Sequence, residues 1–138
     1  MNTGVILQEN IPYVWDRVKP LLQLAVDEAK GELTIEQVYN KLMDGTQMLY
    51  VCAEGETVVA ALTMEILQFP NKKVISVCQA GGTRMEEWYR PMAEQAEKLA
   101  RIEKAQTIYV TGRRGWVRQL KNVGYEEYFT IVGKEVDL

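Results

Sequence analysis

The sequence predicts an α+β fold, and three observations carry that prediction. The spacing of apolar residues changes along the chain from strand-like to helical and back. Three consecutive strand candidates are separated only by the short turns at residues 54–56 and 70–72, which indicates an antiparallel meander. The 138 residues are 47% hydrophobic and 25% charged, without a linker, repeat or low-complexity segment. This composition is typical of one soluble domain, which we expect to span residues 1–138.

The chain is predicted to begin with a short strand and a helix. Residues 5–7 are apolar and include β-branched side chains, which favours a strand. After Asn10 and Pro12, both typical of helix starts, apolar residues recur at helical spacing up to Gly31. We expect Pro20 to kink or split this helix, because proline lacks an N–H and crowds the preceding turn.

A second helix and three strands follow. Thr34 begins a Thr-Ile-Glu-Gln sequence that fits a capping box, and Gly45 supplies the stop of the helix. Val, Ile, Tyr and Thr are then abundant in the strand candidates at residues 48–53, 57–69 and 73–78. These are the strands of the meander.

Helical spacing returns beyond Gly82 and continues to about Lys104. This third helix contains Pro91, whose missing N–H is tolerated only in the first turn of an unbroken helix. The regular helix is therefore expected to begin near Trp88 or to be kinked.

The remaining elements are a strand at residues 107–111, a short helix at 116–122 and a final strand at 128–136. The predicted order is β-α-α-β-β-β-α-β-α-β. A final strand at the edge of the sheet would leave unpaired backbone groups that a second copy can cover. We therefore expect a homodimer through this edge strand.

The residue types present exclude several kinds of site. The chain has no histidine and only two cysteines, Cys52 and Cys78. A histidine base, a Ser-His-Asp triad and the usual structural zinc site are excluded, and we expect no metal. The two cysteines are predicted to be core residues two strands apart, at about 9–10 Å, which is beyond disulfide reach.

The net charge of -3 provides no general attraction to nucleic acid or to an anionic membrane. The first ten residues carry no basic region, and their apolar run is too short for a signal peptide or a membrane span. We expect a cytoplasmic protein with neither sequence-specific nucleic acid nor membrane as a partner.

Two segments resemble the GNAT superfamily of N-acetyltransferases, in the form of its small phage-encoded members. Residues 112–120, GRRGWVRQL, run into Gly124 and Tyr125 and resemble the fourth helix and the closing Gly-aromatic pair. Residues 78–83, CQAGGT, precede a helix that carries Trp88 and resemble the same group. The predicted element order fits the superfamily over the whole chain.

The resemblance implies a mixed, mainly antiparallel sheet with helices on both faces. It also implies an acyl-CoA-dependent N-acyltransferase that passes an acetyl group from acetyl-CoA directly to an amine, without a covalent intermediate. The acceptor would be a small molecule or a protein. A catalytically inactive GNAT-like binding or structural module is the alternative, and an unrelated α+β domain is a third.

The resemblance places acetyl-CoA at the connection between the strand at 73–78 and the next helix. Glycines there let a pyrophosphate approach backbone N–H groups closely, and Arg84 adds a positive charge. The next residues, Thr-Arg-Met-Glu from Thr83, fit a capping box. The superfamily pattern is half met, because Gln79 and Gly82 match and Arg84 stands at its last position. The candidate cofactor-binding residues are Val77, Cys78, Gly81, Gly82, Thr83 and Arg84.

No catalytic residue is assigned. Many superfamily members carry a tyrosine four residues before the closing pair, and this chain has Leu120 there. Tyr109, Tyr125 and Tyr128 are near in sequence, but each also fits a packing role. Glu65 is the only carboxylate inside the meander strands and is either a general base or a solvent-facing residue.

A basic cluster interrupts this acidic chain. Its members are Arg113, Arg114, Arg118 and Lys121. Three explanations stay open: a solvated helix face, a contact with the phosphates of CoA, or a dock for an acidic partner. Trp116 lies among these residues and either stacks on an arginine or packs on the core beside Tyr125.

Overall fold

The computed structural model describes all 138 residues, and its centre is one five-stranded sheet. The strands are β1 (Asn2–Ile6), β2 (Met48–Glu54), β3 (Thr57–Gln68), β4 (Lys73–Gly82) and β5 (Thr107–Val110). They lie in chain order, with antiparallel pairing up to β4 and parallel pairing between β4 and β5. The predicted α+β class and the mixed, mainly antiparallel sheet are confirmed.

Four helices cover the two faces of the sheet. They are α1 (Ile11–Glu28), α2 (Ile35–Met43), α3 (Met85–Glu103) and α4 (Arg114–Leu120), with 3₁₀ turns at Gln8–Asn10 and Lys121–Val123. One apolar core joins α1 and α2 to one side of the sheet, which we call the α1/α2 face. A second core lies under α3, with Trp116 of α4 packed against it, on the opposite α3/α4 face.

The capping box predicted at Thr34 is confirmed. The Thr34 hydroxyl accepts from the backbone N–H of Gln37 at 3.2 Å, and the Gln37 side chain accepts from the backbone N–H of Thr34 at 2.8 Å. Gly45 follows the helix with φ +83°, a conformation that stops a helix at little cost for glycine.

Both helical prolines lie inside continuous helices. Pro20 does not split α1, and α3 begins at Met85 rather than near Trp88. The alternative expectation, a kink at each proline, stays a prediction. Each proline frees the carbonyl four residues earlier, at Asp16 and Glu87. Both of those residues are exposed, so water can hydrate the freed carbonyl.

The predicted end of the strand at residues 73–78 is wrong, because β4 continues to Gly82. The extension exists because β3 is long enough to pair with it, up to the Ala60–Gly82 pair. The strand-like pattern in the sequence ends at Cys78, because the alanine and glycines at residues 80–82 have little preference for strands.

The final strand predicted at residues 128–136 is also wrong. Residues 124–138 form neither helix nor strand. Instead, the rings of Tyr128 and Phe129 pack edge-on against Tyr109 of β5, each with centroids 6.1 Å apart. An alternating apolar pattern indicates a strand only where a neighbouring strand is available, and β5 offers just four residues.

Candidate functional site

The strands β4 and β5 part after four paired residues. Val77 and Val110 form the last pair, and the N–H of Thr111 still donates to the carbonyl of Val77 at 3.2 Å. Residues 78–82 of β4 then continue without a strand beside them on that side. A strand edge left free in this way can pair with an extended ligand.

A β-bulge lies where the strands part. The pairing of β3 with β4 shifts between Leu62 and Met64. The side chain of Thr63, fully buried between them, accepts from the backbone N–H of Gln79 at 3.2 Å and donates to the Gln79 side chain at 2.7 Å. Because bulges re-aim the strand that carries them, these two bonds hold the direction of β4 beyond Val77.

An apolar cavity of about 30 Å³ adjoins Val77 on the α3/α4 face, and all its lining residues are hydrophobic. Trp88 and Trp116 border it with ring centroids 5.8 Å apart in an edge-to-face contact. The indole N–H of Trp88 donates to the carbonyl of Thr83 at 2.8 Å. The cavity has room for roughly one or two water molecules, so the side chains that line it, the two tryptophans among them, leave little free space at this end of β4.

The two glycines predicted to form a phosphate-binding turn lie within β4. A Cβ atom on Gly81 would stand 2.0 Å from the carbonyl oxygen of Leu21 in α1, and one on Gly82 would stand 2.5 Å from that of Val59. Close packing is therefore enough to require glycine at both positions, whether or not a ligand binds there. Binding of CoA at Gly81 and Gly82 stays a prediction.

The capping box predicted at Thr83 is wrong. The backbone N–H of Thr83 continues the strand by donating to the carbonyl of Val59 at 3.1 Å, so the helix starts later. Arg84 caps α3 instead, in the left-handed conformation with φ 61° and without a side-chain capping bond. Its guanidinium pairs with Glu87 and, at 2.8 Å, with Glu54. The hydrogen bond from Arg84 holds the pKa of the Glu87 carboxyl below its usual range. The Arg84 guanidinium, which was expected to face phosphate, is thus already paired with two carboxylates.

Solved structures superpose on this chain over nearly its full length, although no family model and no curated protein matches the sequence. A GCN5-related N-acetyltransferase from Ralstonia eutropha superposes with a TM-score of 0.71 at 12% identity, covering 98% of this chain and 97% of that one. The chain has the GNAT fold.

Two further structures show the same GNAT fold. A ribosomal-protein-alanine N-acetyltransferase from Brucella melitensis has a TM-score of 0.71 at 9% identity, covering 99% of this chain and 100% of that one. A predicted acetyltransferase with acetyl-CoA from Clostridium acetobutylicum has a TM-score of 0.70 at 11% identity, covering 97% of this chain and 95% of that one. Identities this low establish the GNAT fold alone.

Within this GNAT fold, Leu120 and Tyr125 both line the apolar cavity. Tyr125 is the only one of the three tyrosines noted from the sequence that does so. Burial, reinforced by the charge of Glu97, raises the pKa of Tyr125 to about 12. A tyrosine is protonated at neutral pH at its ordinary pKa as well, so the raised pKa makes this hydroxyl a weaker acid that can still donate a hydrogen bond. The packing of Trp116 on the core is confirmed, and Trp116 and Tyr125 line the same cavity. No cation lies over the Trp116 ring.

The basic cluster lies just beyond the end of β5, and all four of its side chains are exposed. Arg113 forms a loose ion pair with Glu28 at the end of α1, at 3.6 Å. Arg114, Arg118 and Lys121 form no ion pair. An exposed pair of this kind contributes little, so the cluster is free to meet an anion.

Two polar residues that sequence reasoning missed, Gln47 and Ser76, lie beside Glu65 on the α1/α2 face. Gln47 is 3% exposed and its side-chain amide donates to Glu65 at 3.2 Å. Glu65 pairs across the strands with Ser76, which is 8% exposed. The Cys78 thiol lies 3.6 Å from the Ser76 hydroxyl, and burial raises its pKa while that contact opposes the rise. Apart from Glu65, which the sequence analysis noted, the only sequence signal for this group is a polar residue directly before an apolar strand, as Gln47 is before Met48.

The cysteines are free, and β3 separates the strands that carry them, as predicted. No group of three or more Cys, Asp or Glu side chains could hold a metal ion. No helix combines the length and the apolar character needed to cross a membrane.

Proposed function

We propose that the chain binds an acyl-CoA, with acetyl-CoA the expected one, along the free edge of β4 and transfers the acyl group to an amine. One observation carries the proposal: in a GNAT fold, β4 continues past its last pair with β5, directly beside an apolar cavity. An extended, amide-bearing pantetheine arm can pair with such an edge as an added strand does.

The protein contributes to the reaction mainly by positioning the two substrates and by hydrogen bonding to the reacting thioester. The thioester carbonyl would lie near Val77 and Cys78, where backbone N–H groups stabilise the developing oxyanion. The neutral amine attacks the carbonyl carbon, so a C–N bond forms, the C–S bond breaks and the thiolate leaves. The proton that the nitrogen loses passes to water. Tyr125 lines the same cavity, so its hydroxyl can hydrogen-bond to the leaving thiolate and is the candidate source of the proton that the thiolate takes.

The phosphates of the cosubstrate are assigned to the basic cluster. Arg114 and Arg118 are exposed and without ion pairs, whereas two carboxylates occupy Arg84. Guanidinium groups bind phosphate oxygens in pairs and with charge assistance.

Calorimetric titration with acetyl-CoA tests the proposal. We expect saturable binding, followed by loss of the thioester when a mixture of primary amines is added and by acetylated amine in the mass spectrum. Absence of heat at high micromolar acetyl-CoA overturns the proposal.

A catalytically inactive GNAT-like module is the second candidate. It is favoured by Trp88 and Trp116, which fill the space beside β4, and by Leu120 in place of the tyrosine that the resemblance implies. Acetyl-CoA that binds but is not consumed with any primary amine would support this module. A phage-encoded origin remains a prediction from the sequence resemblance.

A further inference from the structure

We propose that Gln47, Glu65 and Ser76 bind the ammonium group of the acceptor amine on the α1/α2 face. The site rests on the proposed function, because it supplies the second substrate of that reaction.

Three neighbouring chain segments bring these residues into one row. Met48 pairs with Met64, so Gln47, one residue earlier, stands opposite Glu65 of β3. Glu65 pairs in turn with Ser76 of β4. Side chains alternate between faces along a strand, and the residues next to all three belong to the α3/α4 core. The row therefore points to the opposite face.

Gln47 has an unused acceptor. Its side chain is buried, its amide N–H donates to Glu65, and its carbonyl oxygen has no hydrogen-bond partner. It is the only buried side-chain polar atom in the chain without one. A buried acceptor without a donor is costly, and native proteins usually satisfy it with a ligand or water.

The row offers acceptors and a negative charge. Glu65 forms no ion pair, and the carbonyl of Gln47 and the hydroxyl of Ser76 add two more oxygens. Lys41 of α2 is the nearby cation: its charge and that of Glu65 both act on the Cys78 thiol, but it makes no salt bridge. A primary ammonium carries three N–H donors and one positive charge, which matches this set.

The position suits the transfer. Ser76 directly precedes Val77, where β4 and β5 part, and consecutive Cα atoms lie about 3.8 Å apart. An amine held on the α1/α2 face thus lies across the sheet from the cavity proposed for the thioester. The two strands part directly after Val77, and we place the meeting of the two substrates there. The bound ammonium must lose one proton to water before its nitrogen can attack.

Nuclear magnetic resonance of the whole chain tests the site, with propylammonium chloride as probe and 1-propanol as its neutral counterpart. The Gln47 side-chain amide signals report on the row directly. We expect them to shift saturably with propylammonium and not with propanol. In Glu65→Gln the affinity should fall at least tenfold, whereas Glu56→Gln, on the exposed turn between β2 and β3, should leave it unchanged.

A second variant covers the case in which Glu65→Gln disturbs the fold. Gln47→Leu keeps the volume approximately and removes the unpartnered oxygen, so it should fold as the wild type does and bind propylammonium more weakly. Because this variant lacks the Gln47 side-chain amide, its binding is followed by the backbone amide signals of Glu65 and Ser76. Equal shifts with propanol, or full affinity in both variants, overturns the site. Titration with acetyl-CoA is separate: if it binds while propylammonium does not, the acceptor site is wrong and the proposed function stands.

Discussion

Trp116 of α4 packs edge-on against Trp88 of α3, with 5.8 Å between the ring centroids, at the cavity where β4 and β5 part. The contact places the chain's own rings where the proposed function requires a thioester. Any acyl-CoA must share this space or displace the half-buried ring of Trp116.

Trp116→Ala should therefore bind acetyl-CoA about tenfold more tightly, because no ring has to be moved on binding. Calorimetry measures the difference. Trp15→Ala is a matched control, since Trp15 is also half-buried in an edge-to-face pair, with Tyr39 at 4.8 Å on the other face. Weaker binding by Trp116→Ala would mean that the ring contacts the ligand instead of blocking it.

Replacing Arg114 and Arg118 together by alanine should weaken acetyl-CoA binding about tenfold and reduce its dependence on salt. Both side chains are exposed and unpaired, so the fold should be unaffected. Arg17→Ala, which removes an exposed charge from α1, is the control. S-acetylpantetheine has no nucleotide phosphates, so an equal loss of affinity for this compound would show that the cluster does not bind phosphate.

Tyr125→Phe should lower kcat about 100-fold while leaving the dissociation constant of acetyl-CoA unchanged, because it removes a proton donor and little volume. Stopped-flow or thiol-release kinetics, with calorimetry for binding, separates the two quantities. Tyr13→Phe, at a residue 82% exposed, is the control. Unchanged kcat would assign the proton to water.

The same tyrosine predicts a pH dependence of stability. Its pKa is raised by folding from 10.0 to about 12, so the folded state favours the neutral phenol. The resulting stabilisation is complete below pH 10 and is lost as the pH rises toward 12. Urea unfolding at pH 8 and pH 11 should show a smaller alkaline loss of unfolding free energy in Tyr125→Phe than in the wild type, and an equal loss would contradict the buried phenol.

Gly81→Ala should destabilise the chain by at least about 1–3 kcal/mol, because the added Cβ overlaps the carbonyl of Leu21. Gly4→Ala is a control in another strand, where an added Cβ meets nothing within 4 Å. Denaturant unfolding without acetyl-CoA measures both. If Gly81→Ala keeps wild-type stability but loses acetyl-CoA affinity, Gly81 serves the ligand rather than the helix.

Sequence patterns predict those features whose interacting residues lie close together in the chain. The capping box joins Thr34 and Gln37, three residues apart, and was predictable because its two hydrogen bonds need no distant partner. The requirement for Gly81 comes from Leu21, sixty positions away, so no local pattern reveals it.

The same limit applies to the candidate site. Glu65 was visible as an isolated carboxylate in a strand, but its neighbours Gln47 and Ser76 depend on the register of two strand pairs. The alternation at residues 128–136 was visible as well, yet a strand also needs a partner, and the pattern does not supply one.

The C-terminal segment leaves Ile131 and Val132 about nine-tenths exposed, and β5 is an edge strand of the sheet. The homodimer was predicted through a final strand at residues 128–136, which does not form, so only the edge of β5 is left for it. If a second copy covers that edge, it also covers Tyr109, which stands in register with Ser76. Light scattering should then give the mass of two chains. A dimer would exclude water from one side of the Gln47–Glu65–Ser76 row. The activity per chain should therefore rise with protein concentration and become constant once all chains are dimeric.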